Sequence, residues 1–377
     1  MTKLEKLSSL IPIHFLEQGA QQQIYDALNL DFLIKLAVMP DCHTGYTLPI
    51  GGVALLDSVI SPEYVGYDIG CGMCYIVTDH LAAKFFKNKK LKKYFLEMIH
   101  ELIPVGFNSR EKPLDYYDFK SASGDKELNK KVEERLYIQL ATLGGGNHFI
   151  EIGENRLGFL TITIHSGSRN IGHSIASYYM KLSKRVDMDL PRGFLHLHGE
   201  CGIQYLQDMT YALEYALENR KRMMKEILEL MGYGTSDTNI LINKRMINEN
   251  HNHAVLQDNY NLVLHRKGAT PADKGQIGII PGSMLTGVYV TEGLGNKEYL
   301  SSSSHGAGRK MSRKKAKEAI SLSRVKDQMK EIVANINNSM KDEAPDAYKN
   351  IKTVIEAQEG IVINTIDHAK PLIVAKG

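Results

Sequence analysis

Cysteine is scarce in this 377-residue chain, which has only Cys42, Cys71, Cys74 and Cys201. So few in so long a chain exclude a disulfide scaffold. Cys71-Gly-Met-Cys74 has no second Cys-x-x-Cys to complete a zinc ribbon. No run of about 18 apolar residues occurs, which excludes an apolar spanning helix. The opening Met1-Thr-Lys-Leu-Glu-Lys6 lacks the apolar core of a secretion signal. A reduced, cytoplasmic protein with no membrane partner is therefore expected. Charge excess is also small: 46 basic against 43 acidic residues leave a net +3. That balance permits nucleic acid as a partner without arguing for it. Gly-x-x-x-x-Gly-Lys-Ser/Thr is absent, so a nucleotide would not sit in a P-loop. Internal repeats and low-complexity linkers are missing too, which favours one intertwined domain over residues 1–377, with 1–38 its least specific part.

What is present is a globular composition, 43% hydrophobic and 24% charged. Periodicity predicts short helices and a strand within 1–38, the strand at 32–39. Helices are expected at 84–103, 126–140, 202–231 and 314–340, and a further one after 346. The alternation at 159–164 and the apolar run at 372–375 read as strands. The apolar spacing at 202–231, which includes Ile203, Leu206, Met209, Leu213, Ala216, Leu217, Met224, Ile227 and Leu228, marks that helix as scaffold. Its end is set by Gly232 and Gly234. The basic run at 84–93 reads as a solvated helix face.

Between these elements lie clusters rich in glycine and in residues that bear chemistry. Met39-Pro-Asp-Cys-His-Thr-Gly-Tyr-Thr-Leu-Pro-Ile-Gly-Gly52 reads as a loop, either a site or a sharp structural turn. In Val65-Gly-Tyr-Asp-Ile-Gly-Cys-Gly-Met-Cys-Tyr75, Asp68 and Cys71 are spaced to converge on one ion, or the cysteines are buried and structural. Leu143-Gly-Gly-Gly-Asn-His-Phe-Ile-Glu151 offers a phosphate or metal cradle. His165-Ser-Gly-Ser-Arg169 follows a strand, where such proteins place reactive groups. Ile247-Asn-Glu-Asn-His-Asn-His253 is too compressed to be evidence for an HNH nuclease, and His196-Leu-His198 reads as a decoy. Ser301-Ser-Ser-Ser-His-Gly-Ala-Gly-Arg-Lys-Met-Ser-Arg313 sets His305 on a glycine-rich turn beside spaced cations. A histidine there can attack phosphorus or pass a proton.

Together Asp68, Cys71, His148, His165 and His251 form a mixed oxygen, sulfur and nitrogen donor set suited to Zn, Fe, Co or Mn. Five donors exceed one closed tetrahedral site, so either some lie behind the ion or two ions share Cys71. The chemistry is phosphoryl or nucleotidyl transfer by metal-assisted displacement. A polynucleotide, a nucleotide and a phosphorylated metabolite all remain open as substrate.

From about residue 39 onward these motifs resemble the RtcB family of RNA-splicing ligases. The resemblance rests on Met-Pro-Asp-x-His-x-Gly-Tyr with Pro-Ile-Gly-Gly, Asp-Ile-Gly-Cys-Gly, Leu-Gly-Gly-Gly-Asn-His-Phe-x-Glu, His-Ser-Gly-Ser-Arg, Ile-Ile-Pro-Gly-Ser-Met and Ser-His-Gly-Ala-Gly-Arg-x-Met-Ser-Arg. It implies an α+β fold, with central β-sheets flanked by helices and a dimetal site in a cleft. It also implies a GTP- and Mn²⁺-dependent ligase joining RNA 3′-phosphate or 2′,3′-cyclic phosphate ends to 5′-hydroxyl ends, in RNA repair or tRNA splicing. The runner-up is a metal-dependent phosphodiesterase or nuclease acting on RNA ends. Carried over residue by residue, His305 resembles the histidine that takes GMP. Cys71 would bridge two Mn²⁺ ions, with Asp68, His165 and His251 on one and His148 on the other. Asn147, Glu151, Ser283, Gly306, Ala307, Gly308, Tyr348 and Lys376 would form the guanylate pocket, and Arg169, Arg309 and Arg313 would meet phosphates. An archease-like activator is a further partner the resemblance leaves open. The departures are Thr47-Leu48, Ala141 and Asn170, none a proposed ligand, and the chain is short for the family. Lys-x-Asp-Gly is absent, which disfavours a ligase with a lysine nucleophile.

Overall fold

Alternating apolar residues make neighbouring antiparallel strands of Phe149–Glu154 and Phe159–Ser166. Leu160, Ile162 and Ile164 face a buried apolar cluster, while the intervening Thr161 and Thr163 are buried on the other face. Gly72–Leu81 pairs beside the second of these strands and Ile247–Asn250 beside that. On the other side Ile363–Lys376 pairs with Phe149–Glu154, followed by Val288–Gly293 and Ile277–Pro281. With Val333–Ala334 these complete an eight-stranded sheet. A second, five-stranded sheet runs in the order Leu7–Ser9, Leu33–His43, Ile50–Asp57, Leu262–Lys267 and Asn252–Leu256. Strands from both ends of the chain share sheets, so the architecture is α+β and intertwined. The structure, a computed structural model, describes residues 5–257 and 261–377, so the first four residues of the segment 1–38 lie outside it. Among the described residues no helix is long and apolar enough to cross a membrane.

The helix Glu200–Leu230 lies against the large sheet. Met223, Met224, Ile227 and Leu228 are buried with Ile76, Ile150, Ile152, Ile162 and Ile164, each such side chain contributing about 1.5–3 kcal/mol. On the same apolar stripe sit two polar residues. Arg220 is fully buried and donates to Gly70 O (2.9 Å), Ser166 O (2.8 Å), Asn248 Oδ1 (2.7 Å) and Asn250 Oδ1 (2.7 Å). Asn219 donates to Thr142 O, Ser166 Oγ and Gly167 O, and accepts from Thr142 N–H. This helix is therefore more than scaffold, because it ties together the loops at one edge of the sheet.

Other elements also depart from the sequence reading, for local reasons. The stretch 39–52 is a loop only in its middle. Met39 to His43 finish the strand Leu33–His43, and Ile50 begins the next. Pro40 is accommodated because the pairing is irregular between Val38 and His43. Residues 84–103 divide into Ala82–Phe85 and Lys89–Leu102, the second capped by Asn88, which accepts from Leu91 N–H. The expected helix at 314–340 is broken into Arg313–Ala319 and Leu322–Gln328, followed by the short strand Val333–Ala334. Ser312 and Ser321 each cap a new start with their hydroxyls. Gly234 does not close the long helix but opens another, Thr235–Arg245. Ile203 is half-exposed rather than buried.

Replacing Arg220 with Met would leave the Gly70 and Ser166 carbonyls buried and unpaired, at a cost on the order of 3–5 kcal/mol. Chemical denaturation of Arg220→Met checks this, and a loss under about 1 kcal/mol would contradict the clamp.

Candidate active site

The sheet's strand directions build the site. Cys71 immediately precedes the strand Gly72–Leu81, and His148 immediately precedes Phe149–Glu154. His165 lies at the far end of Phe159–Ser166, and His251 immediately follows Ile247–Asn250. Because these neighbours are antiparallel, two strand beginnings and two strand ends fall on one edge. Four side chains distant in sequence thus converge without any long loop.

At that edge Cys71 Sγ lies 3.5 Å from His148 Nε2 and 3.2 Å from His165 Nε2, and these three buried ligand atoms lie within 4.8 Å of one another. Asp68 Oδ2 is 3.1 Å from His148 Nε2. The His251 ring sits 5.2 Å from the His165 ring and 4.9 Å from that of His305. The ring orientations are set from behind: His148 Nδ1–H donates to Leu143 O (3.0 Å) and His165 Nδ1–H to Asn147 O (3.2 Å). His165 therefore turns its Nε2 to the thiol, while His148 turns its Nε2 toward both the thiol and the Asp68 carboxylate. The Asp68 carboxylate thus touches His148, whereas the resemblance sets it with His165 and His251. The tight approach also depends on Gly144, at φ +92°, where a Cβ would lie 2.7 Å from His148 Nδ1.

Electrostatics at this edge favour a bound cation. Burial, reinforced by Asp68, pushes the Cys71 thiol well above its ordinary value. Burial and neighbouring imidazoles hold His165 and His251 well below theirs. Desolvation pushes the Asp68 carboxyl up, but its hydrogen bond and charge interaction with His148 hold it below its usual range. A thiol, a carboxylate and neutral imidazoles that face one another fit divalent transition cations, which would deprotonate the thiol and offset the desolvation.

His305 stands beside this cluster. It follows the buried strand Ser302–Ser304, which pairs with Ala269–Pro271. Its Nδ1–H donates to Asp41 Oδ2 at 2.7 Å, which commits that nitrogen and leaves Nε2 on the other side of the ring. The Asp41 side chain is fully buried; desolvation pushes its carboxyl up, yet His305, His43 and Lys349 together hold it below the usual range. Asp41 was legible only as part of a loop, and its role needed the fold, since 264 residues separate it from His305. Gly308, at φ +71°, passes so close to Asp41 that a Cβ would meet its carbonyl oxygen at 2.2 Å.

Next to His305 opens a cavity of about 320 Å³. Asn147, Glu151, Ser283, Gly306, Ala307, Gly308, Tyr348 and Lys376 all line it, as do Arg309, Arg313, His43 and His165. Lys376 arrives because its strand pairs it with Phe149. Glu151 is buried with Oε1 unpaired, and burial pushes its carboxyl up to about 8. Sequence reading missed Glu343, the buried hub of this wall. It accepts from Lys376 Nζ (2.6 Å), Arg313 Nη1 (2.6 Å), Arg309 Nη1 (3.3 Å) and the Tyr348 hydroxyl. Arg309 also lies over the Tyr348 ring, 5.1 Å from its centroid.

Arg169 lies apart from this cavity. Largely buried, it donates to Thr142 Oγ1 (3.0 Å) and Gly106 O (2.8 Å), near the loop that leads to His148. The decoy histidines are satisfied elsewhere, His196 by Asp189 and His198 by Asn261. Cys74 is buried beneath the sheet, donating to Arg220 O, so the Cys-x-x-Cys pair does not act together. Ala141 adopts φ +56°, a left-handed conformation that glycine would take without strain.

Comparison with known proteins identifies the family. A family model described as tRNA-splicing ligase RtcB matches residues 23–123 and 118–377. The RNA-splicing ligase RtcB of Escherichia coli K12 is 35% identical over 92% of this chain and 91% of its own length. The tRNA-splicing ligase RtcB of Thermococcus kodakarensis is 29% identical, covering 90% of this chain and 87% of its own. An RtcB homologue of Entamoeba dispar is 29% identical over 94% and 81%. This chain belongs to the RtcB family of RNA-splicing ligases.

Proposed function

We propose that the protein joins RNA 3′-phosphate or 2′,3′-cyclic phosphate ends to 5′-hydroxyl ends, using GTP and two Mn²⁺ ions, with His305 as the carrier of GMP. The observation that carries this is the His305–Asp41 pair set between a donor cluster and a nucleotide-sized cavity. A phosphodiesterase would need the donor cluster but neither of those additions.

In this reading Asp68 and His148 would serve one ion, His165 and His251 the other, and Cys71 would donate to both. The ions would supply charge that offsets the triphosphate and polarises phosphorus. Asp41 fixes His305 with Nε2 unprotonated, and that nitrogen attacks the α-phosphorus of GTP. A nitrogen–phosphorus bond forms, the bond to pyrophosphate breaks, and Asp41 stabilises the positive charge that develops on the ring. An RNA 3′-phosphate oxygen then displaces His305 from the guanylate phosphorus. The 5′-hydroxyl attacks the activated 3′-phosphate and GMP leaves. A 2′,3′-cyclic end requires opening by water first. Around the base, Glu151 would accept from the donor edge of guanine and Lys376 would meet its carbonyl. Asn147 would hold the α-phosphate, and Ser283, Tyr348 and residues 306–308 complete the walls. Arg309 donates to the Asp342 carbonyl and the Glu343 carboxylate, and Arg313 to the Asp342 and Glu343 carboxylates, so phosphate contact requires sharing these partners. Arg169, already bonded to Thr142 and Gly106, would meet RNA phosphates. Repair or splicing of RNA in the cytoplasm, with or without an archease-like activator, is compatible with this chemistry.

Incubation with α-labelled GTP and Mn²⁺ should attach an acid-labile label that survives denaturation. His305→Ala should abolish it while Mn²⁺ binding persists, and label retained in that variant would overturn the assignment. Glu151 gives a pH signature. Its carboxyl, at about 8 when folded against 4.5 ordinarily, keeps a proton that the unfolded chain loses, so stability falls as pH rises from 4.5 to 8. Glu151→Gln should therefore melt higher than wild type above pH 8, with the gap closing toward pH 4.5, while GMP attachment falls roughly tenfold or more. Parallel melting profiles would contradict the buried acid.

A further inference from the structure

Outside the guanylate cavity, a row of exposed rings leads away from the Asp68 edge of the donor cluster. Tyr67 directly precedes Asp68 and is 37% exposed, and Tyr46 is 73% exposed. Their rings meet edge to face with centroids 5.4 Å apart. On its other side Tyr67 stacks on exposed His173, with centroids 5.2 Å apart and planes inclined by 23°. His173 lies one helical turn beyond Arg169 on the helix Arg169–Leu182, and Ser177 follows one turn later with its hydroxyl 3.5 Å from His173 Nδ1.

The row is held in place from below. Gln23 bonds both the carbonyl and the N–H of Gly45 (2.9 and 3.0 Å) and also the Tyr46 carbonyl, fixing the turn that displays Tyr46. Buried Lys267 donates to Glu63 O at 2.8 Å, and its ammonium lies 5.6 Å from the Tyr46 ring centroid. Exposed apolar residues scattered singly need no explanation. Three contiguous rings anchored by a glutamine and a buried cation, and ending beside a phosphate-transferring cluster, are a different matter. The outward-facing surfaces of exposed aromatic rings suit unpaired nucleobases, each of which offers a π-face whatever its identity.

We propose that Tyr46, Tyr67 and His173 form a stacking platform for the unpaired bases of the RNA strand whose end enters the donor cluster. The proposal rests on the ligase reading and adds how the strand is held. Because stacking ignores base identity, the platform accepts any single-stranded end and disfavours a fully paired one, whose bases are already stacked.

The test is fluorescence anisotropy of a labelled ten-nucleotide single-stranded RNA with a 3′-phosphate, bound to the Mn²⁺-loaded full chain. Tyr67→Ala and Tyr46→Ala should each raise Kd by roughly 5- to 100-fold, and Tyr67→Phe should restore binding. Tyr94→Ala, at an exposed ring on the helix Lys89–Leu102, should leave Kd unchanged. Replacing the three terminal nucleotides by abasic ones should weaken binding to wild type but not to the Tyr46→Ala/Tyr67→Ala double variant. An unchanged Kd in that double variant would overturn the platform, as it would if the rings instead received a protein. Equal abasic penalties in wild type and double variant would also overturn it. GMP attachment by the same variants should stay at wild-type level. Absence of attachment in wild type would count against the ligase reading, whereas the RNA-binding comparison judges the platform.

Discussion

A buried arginine with no ion pair among the described residues holds the edge of the large sheet together. Arg220 accepts the desolvation cost of a charge in the interior because two backbone carbonyls and two asparagine side chains surround it. Those partners lie next to the site: Gly70 precedes Cys71, Ser166 follows His165, and Asn250 precedes His251. Asn219, its neighbour on the helix, fixes the Thr142 backbone that leads toward His148. One helical turn therefore sets the relative positions of four donor-bearing segments. The positive charge also bears on Cys71, opposing the burial that raises its thiol.

The site so formed is divided by charge. On the sheet edge the donors are desolvated into their neutral forms or paired with one another, a state that a bound cation would relieve. On the other side of His305, carboxylates and cations are already matched around Glu343, whose burial is offset by Lys376 and Arg313. Between the two, Asp41 fixes His305 so that one nitrogen is committed and the other is open. His305 thus stands between the cavity and the donor edge, within reach of both.

Much of the site was legible because its residues cluster in glycine-punctuated loops between periodic segments. Cys71, His148, His165 and His305 each stand at or next to a strand terminus, where motif and geometry coincide. What was not legible depends on long-range pairing. The bond between Asp41 and His305 and the hub at Glu343 join segments with no local pattern in common. Asn219-Arg220 did carry a signal, since two polar residues interrupt the apolar stripe that continues with Met223 and Met224. Helical periodicity masked it by assigning the whole stretch to packing. Periodicity likewise merged the two helices between 313 and 328, because the serine caps that divide them look like ordinary surface residues. The basic run at 84–93 had no such hidden constraint, and most of its lysines are exposed as expected.

The central proposal is that the donors at this sheet edge would hold two cations, with Cys71 donating to both. Crystals of the protein soaked with Mn²⁺ and measured near the manganese absorption edge would test it directly. The account predicts two anomalous peaks, both within bonding distance of Cys71 Sγ, one against Asp68 and His148 and the other against His165 and His251. A single peak, or a pair of which only one touches Cys71, would contradict it.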